Sequence, residues 1–184
     1  MFYVDKELHM KYLLILFCFT LSFGVCQANN TNSDLANIKQ AMMLAVESSQ
    51  VTDSLYTELS SRNSPSPLIL AYTGTLEALK AKHSWNPYQK VKYVAKSQKT
   101  LEKALRIEPS NLEIRFMRFS IQHFTPAFLG YSKELTEDRQ MIIKQFIKKN
   151  FGQADAAFRS SIAKFMITSD RCSPEEVKLL RNYI

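Results

Sequence analysis

The sequence predicts an all-α protein, an array of about seven or eight helices packed as antiparallel hairpins. Three observations support this fold class. Apolar residues recur at helical spacing, no alternating run bounded by turn signals predicts a strand, and the 184 residues include 4 Gly and 6 Pro. With 46% hydrophobic residues, the chain is long enough to form one domain with a real core.

The N-terminal residues are typical of a secretory signal peptide. A lysine precedes the uncharged apolar run from Tyr12 to Val25, which is shorter than the roughly 20 residues that a membrane span needs. We predict that residues 1–28 are the signal peptide, with Met10 as the candidate true start, and that residues 29–33 are a disordered tether. Residues 34–184 would then form a single α-helical domain.

Export determines the expected location and cysteine chemistry. The mature protein would be periplasmic or secreted, would have no membrane span, and would keep only Cys172, so it would form no internal disulfide. Processing before Cys26 is an alternative that would make the protein a structural lipoprotein, although such signals usually place a small residue where Val25 stands. The chain is basic, with a formal net charge of +7, but export disfavours nucleic acid as a partner.

Turn and cap signals divide the rest of the chain into helices. Ser66 and Asn86 each precede a proline and should cap the helices that follow them. Capping boxes are expected at Ser110 with Glu113 and at Ser173 with Glu176. We predict two short helices or one bent helix in residues 34–62, then helices in residues 67–85, 87–106, 112–124, 133–150, 155–168 and 174–183.

The helix predicted at residues 87–106 has an apolar face and a basic face. Its inward residues would be Val91, Val94, Ala95, Leu101 and Leu105. Its outward residues would be Lys92, Lys96, Lys99, Lys103 and Arg106. A lysine face of this kind is typical of a solvated surface, and contact with a polyanion is the alternative.

The end of this helix resembles the second half of a tetratricopeptide repeat. Ser97, Leu101, Ala104 and Pro109 stand at the spacing of that family. The resemblance covers about one half-repeat, because the preceding helix lacks the pattern and Ile143 stands where the next proline would be. It implies a divergent repeat-like helical hairpin, and the chain is also similar in kind to uncharacterised exported bacterial helical proteins, which imply no activity.

The helix predicted at residues 112–124 is apolar nearly all round and should lie at the centre of the bundle. One polar stripe crosses it, comprising Asn111, Arg115, Arg118 and Gln122, with His123 beside it. Arginine suits carboxylates, so Arg115, Arg118, Gln122 and His123 are the candidate binding site for an acidic peptide or ligand. The alternative is internal pairing of the arginines with Glu77, Glu134 or Glu137.

No motif in the sequence indicates a cofactor, a metal site or a known catalytic centre. Cys172 and His123, oriented by Asp170, could act as a thiol nucleophile and its base, which would make the protein a small periplasmic hydrolase or thiol enzyme. A buried cysteine is the simpler interpretation. The leading hypothesis is an exported, non-enzymatic helical protein that binds a peptide or protein partner, which would be acidic if the arginine stripe is the site.

Overall fold

The computed structural model describes residues 28–184, with side chains from Ser33 onward. Within that range the chain is all-helical, which confirms the predicted fold class. The α-helices are α1 (Ala28–Ala45), α2 (Ser49–Ser60), α3 (Pro67–His83), α4 (Pro87–Ile107), α5 (Leu112–Phe124), α6 (Leu135–Lys148), α7 (Ala156–Thr168) and α8 (Pro174–Leu180). Short 3₁₀ helices at Ala127–Leu129 and Arg181–Tyr183 follow α5 and α8.

The chain divides into two compact units that meet within α1, between Ala41 and Met42. The second unit, residues 42–184, contains the end of α1 and all of α2 to α8. Residues 29–33 have a helical backbone and belong to α1, where we predicted a disordered tether. These five residues contain neither Pro nor Gly, so nothing in them prevents the helix from starting early. Residues 1–27 of the predicted signal peptide, residues 1–28, lie outside the described residues, and with them Met10 and Cys26; Ala28 is the first residue of α1.

Side-chain caps begin several helices where the sequence predicts them. Ser66 caps α3 and Asn86 caps α4, and in both helices a proline follows the cap. Ser173 and Glu176 form the capping box of α8. These three predictions are confirmed, and each cap satisfies amides that the first turn of a helix leaves unpaired.

The capping box predicted at Ser110 and Glu113 is wrong by one residue. Asn111 caps α5, since its Oδ1 accepts hydrogen bonds from the amides of Glu113 at 3.0 Å and Ile114 at 3.2 Å. Ser110 is exposed, whereas Glu113 is buried and accepts a hydrogen bond from the Tyr72 hydroxyl of α3 at 3.1 Å. Burial and the neighbouring Glu113 charge raise the pKa of Tyr72 well above its usual range. The Glu113 carboxylate thus binds Tyr72 on another helix and does not form the local capping box that the sequence predicts.

The helices α3 and α4 form the most extensively packed hairpin of the second unit. Gly74 lies where the two helices are tightly packed, since a Cβ atom there would stand 3.0 Å from Cγ of Leu101 and 3.3 Å from Thr100. Any larger residue would push the helices apart or displace Leu101, so the small side chain permits the close packing. Val91 of α4 is exposed and not inward as predicted, because the first turns of α4 extend beyond the packed part of the hairpin.

The helix α5 lies at the centre of the second unit and packs on α3, α4 and α6. Its Phe119 belongs to an apolar core cluster, which also includes Leu112, Leu135, Ile142, Ile143, Phe146, Ala154, Ile162, Ala163, Met166 and Leu180. The prediction of a central helix therefore holds for most of its length. It fails at the last residue, since Phe124 is 75% exposed.

Candidate functional site

The polar stripe of α5 is buried in the fold. Arg115 is 5% exposed, Arg118 is 7% exposed and Gln122 is 1% exposed. Each of them stands one turn from the next on the face of α5 that meets α6 and α4. A buried guanidinium needs a counter-charge and hydrogen-bond acceptors within the fold.

Asp138 of α6 supplies most of that counter-charge and is itself fully buried. Arg118 donates two hydrogen bonds to it, from Nε to Oδ2 at 2.7 Å and from Nη2 to Oδ1 at 2.8 Å. Arg115 donates from Nη1 to Oδ1 of the same carboxylate at 2.7 Å. One aspartate thus holds two arginines, and the pairing with Arg118 has the two-pronged geometry that suits a guanidinium and a carboxylate.

Two further acceptors complete the surroundings of Arg115. Its Nη1 donates to Oε1 of Glu137 at 2.7 Å, and its Nε donates to the carbonyl of Pro109 at 2.7 Å. The hydrogen bond from Arg115 is the main cause that lowers the pKa of Glu137. These hydrogen bonds tie Arg115 to the turn before α5 and to α6, so this one side chain on α5 connects three segments of the chain.

The arginines therefore face internal partners and not an open groove, which corrects the binding-site prediction for Arg115, Arg118 and Gln122. Of the three glutamates offered as internal partners, Glu137 binds an arginine. Glu77 instead accepts from Thr100 at 2.7 Å and pairs with Lys96 at 3.2 Å. The principal partner, Asp138, is absent from the predicted set.

A signal for Asp138 does exist in the sequence. Leu135, Asp138 and Ile142 are three and four residues apart, so the aspartate interrupts the apolar stripe of α6. An acidic residue at a core position of one helix and arginines at core positions of another predict a buried ion pair.

Gln122 extends the buried polar network toward α4. Its Nε2 donates to Oε2 of Glu134 at 2.8 Å and to Oε1 of Gln98 at 2.9 Å. Glu134, offered by the sequence as an arginine partner, thus binds the amide of Gln122. The stripe as a whole joins α5 to α4 and α6.

His123 lies apart from this network, half-buried among aromatic rings at the end of α5. Its ring centroid is 4.9 Å from that of Phe124 and 5.6 Å from that of Phe165, both at steep angles. Arg171 donates from Nε to Nδ1 of His123 at 3.0 Å. Because an arginine Nε always carries its proton, Nδ1 must accept, and the neutral imidazole holds its proton on Nε2. Burial, and then the charge of Arg171, lowers the pKa of His123.

Cys172 and His123 do not form a nucleophile and base pair. Burial, and then the charge of Glu176, raises the pKa of the Cys172 thiol to about 11, which disfavours the thiolate that such chemistry needs. The depression beside this cysteine, about 400 Å³ in volume, is lined by Cys172, Pro174, Val177, Lys178 and Arg181. Neither His123 nor Asp170 reaches it, so the geometry favours a packed structural cysteine.

Within residues 28–184, no group of three or more His, Cys, Asp or Glu side chains is placed to hold a metal ion. None of the helices in that range is both long and apolar enough to cross a membrane. No protein-family model, no curated protein and no solved structure matches the chain.

Proposed function

We propose that the protein is an exported, non-enzymatic helical protein that binds a peptide or protein partner. The observation that carries the proposal is an exposed aromatic surface at the end of α5. We call it the Phe124 patch, and it consists of His123, Phe124, Phe165 and Arg171. Export rests on the sequence, through the apolar run from Tyr12 to Val25.

Phe124 is exposed yet held in place. Its ring is 75% exposed, and its centroid lies 4.9 Å from that of His123 and 5.8 Å from that of Phe165, with edge contacts in both cases. Aromatic residues are the commonest anchors of protein interfaces, and a side chain fixed before binding loses little conformational entropy on binding. Phe124 therefore has the properties of an interface anchor.

Further aromatic surface follows along the chain. Phe128, in the 3₁₀ helix four residues after Phe124, is 86% exposed. Two phenylalanines this exposed on one short segment leave more apolar area in water than scattered surface residues do. A partner with a large apolar side chain would remove that area from water.

Arg171 supplies the positive charge of the patch, next to the exposed carboxylate of Asp170, whose charge also reaches His123. Its Nε is bound to His123, and the guanidinium forms no ion pair with any residue from Ser33 onward. Arginine is enriched at interfaces and binds carboxylates through its terminal nitrogens. The partner we propose is therefore a segment that combines a carboxylate with a large apolar side chain, and its acidic character comes from this arginine and not from the buried stripe.

Peptide selection tests the proposal. A library of random peptides selected against the full chain should yield sequences that pair Asp or Glu with a large apolar residue. Arg171→Gln should lower the affinity of a selected peptide about tenfold or more, since charged hydrogen bonds contribute about 1.5 to 3 kcal/mol. Phe124→Ser should lower it by a similar factor, since burying a phenylalanine side chain contributes about 1.5 to 3 kcal/mol. Isothermal titration calorimetry would measure both affinities.

Matched controls lie on α6, away from the patch. Ile147→Ser removes another exposed apolar side chain and Lys148→Gln another exposed positive charge, so both should leave peptide affinity unchanged. Selection that returns no binding sequence, or peptides that bind the Phe124→Ser variant equally well, would contradict the proposal.

A further inference from the structure

The turn between α3 and α4 exposes a second apolar surface, of different chemistry. Trp85, the one tryptophan in the sequence, is 91% exposed and Tyr88 is 73% exposed. We call this surface the Trp85 end, and it consists of Val46, Trp85, Tyr88, Lys90, Val91 and Lys92, all of them exposed.

Hydrogen bonds hold the Trp85 end to the rest of the second unit. Nζ of Lys82 donates to the carbonyl of Val46 at 2.6 Å, and Nε2 of His83 lies 2.9 Å from the carbonyl of Ala45. These contacts fix the corner between α1 and α2 against the end of α3. Asn86 caps α4 directly after Trp85. The exposed tryptophan is thus carried on a short turn anchored at both of its ends.

The charge around the Trp85 end is mainly positive, and Glu47, beside Val46, is paired with Lys82 at 3.3 Å. From Ala78 to Leu101 the sequence contains six lysines and no acidic residue. Lys90 and Lys92 flank Val91, are exposed, and form no ion pair with the side chains that the structure describes. Tyr88 and Lys92 are four residues apart, so they share one side of α4.

We propose that the Trp85 end docks on the surface of an anionic lipid bilayer. Tryptophan and tyrosine prefer the membrane interface, because one part of each side chain is apolar and the other forms hydrogen bonds. Lysines beside them keep their ammonium groups in the headgroup layer, where negative lipids attract them. Val46 and Val91 add apolar area at the same tip, which can enter the headgroup boundary without crossing the bilayer.

Lysine is what distinguishes this surface from a protein interface. Protein interfaces are enriched in aromatic residues and arginine but depleted in lysine, whereas adsorption to anionic lipid uses lysine directly. A second copy of the chain is an unsuitable occupant, since it would bring Lys90 and Lys92 against the same charges. The Phe124 patch, with its arginine, has the composition of a protein-binding site.

The fluorescence of Trp85 provides the test. Vesicles of phosphatidylcholine mixed with phosphatidylglycerol should shift the emission of Trp85 in the full chain to shorter wavelength, and brominated lipids should quench it. Neutral phosphatidylcholine vesicles should produce little shift. The apolar run from Tyr12 to Val25 contains no tryptophan, so the emission reports on the surroundings of Trp85, and because the run is common to every variant, its own binding to vesicles cancels in the comparison between variants.

Variants that retain Trp85 distinguish the contribution of the lysine charges from that of the apolar side chains. Lys90→Gln and Lys92→Gln should each weaken the vesicle titration roughly fivefold, and the double variant about twenty-fivefold. Tyr88→Ser should weaken it at least about fivefold. Lys144→Gln with Lys148→Gln changes the charge equally on α6, and Ile147→Ser removes an exposed apolar side chain there, so these controls should bind vesicles as the original chain does.

Several results would overturn the proposal. These are an unchanged Trp85 emission with phosphatidylglycerol vesicles, an equal shift with neutral vesicles, or an equal loss in the α6 controls. Soluble glycerol phosphate that reproduced the shift would show binding of a free anion and no docking on a bilayer. A shift produced by the peptides selected above would assign the Trp85 end to a protein interface.

Discussion

Two adjacent helices, α4 and α5, carry positive charges at the same helical spacing and use them in opposite ways. On α4, Lys92, Lys99 and Lys103 are exposed and have no ion pair among the described side chains. On α5, Arg115 and Arg118 are buried and share the carboxylate of Asp138. The spacing of charges on a helix shows only that they share a face. The residues opposite that face determine whether it is a surface or a buried contact.

The largest expected effect comes from Asp138. Asp138→Asn leaves two buried guanidiniums without their shared counter-charge and should destabilise the fold by about 3 to 5 kcal/mol, measured by urea unfolding. Replacing Arg115 and Arg118 together by Gln should also lower the melting temperature substantially. Glu137 is the control, since its side chain is 60% exposed and Glu137→Gln should cost about 1 kcal/mol or less. Equal small effects for Asp138 and Glu137 would show that the network contributes little.

The cap of α5 gives the next largest effect. Asn111→Ala removes the acceptor of two helix amides and should destabilise the protein by about 1 kcal/mol. Ser110→Ala, one residue earlier, removes an exposed side chain and should change the stability by less than about 0.5 kcal/mol. Urea unfolding of the two variants compares them directly. A larger loss of stability in Ser110→Ala than in Asn111→Ala would support the capping box that the sequence predicts.

His123 should make stability depend on pH. Its pKa is lowered in the folded protein, so the unfolded chain binds more protons as the pH falls from about 6.5, the ordinary value. Stability should therefore be fully present above that pH and decrease below it, until the folded-state pKa is passed. His123→Gln should remove this part of the pH dependence in urea unfolding measured from neutral pH downward. An unchanged slope would mean that His123 does not titrate in this window.

The smallest effect is expected on α4. Lys99→Gln with Lys103→Gln should change the free energy of unfolding by less than about 0.5 kcal/mol, because neither lysine has a partner to lose within the described residues. Differential scanning calorimetry compares this pair with the arginine pair of α5. A large loss in the lysine variant would remove the contrast between the two helices.

The sequence predicts local structure well because local signals determine it. Ser66, Asn86 and Ser173 lie directly before prolines that suit the first turn of a helix, so three helix starts follow from neighbouring residues alone. The bounds of α5, Leu112 to Phe124, are likewise as predicted. The error at Ser110 arises because Glu113 has a distant partner in Tyr72, and no local pattern contains that information.

The candidate site is harder to predict because it depends on which helices meet. The sequence identifies Arg115, Arg118 and Gln122 as one stripe, but their exposure depends on where α6 packs. Arg171 is 48 residues from His123 in the chain, so its hydrogen bond is invisible to any pattern. Phe124 ends an apolar helix and is therefore expected in the core, although the fold leaves it exposed.

Asp138 also restricts how α5 and α6 can slide along each other. It binds two arginines three residues apart on α5 at once, so a slip by one helical turn, about 5.4 Å, would leave it beside one of them at most. Apolar side chains tolerate such a slip, since one apolar stretch of a helix surface packs much like the next. Buried charges do not, because each slipped arrangement leaves at least one of the buried arginines unsolvated and without its counter-charge. The carboxylate thus specifies the axial register of this helix pair.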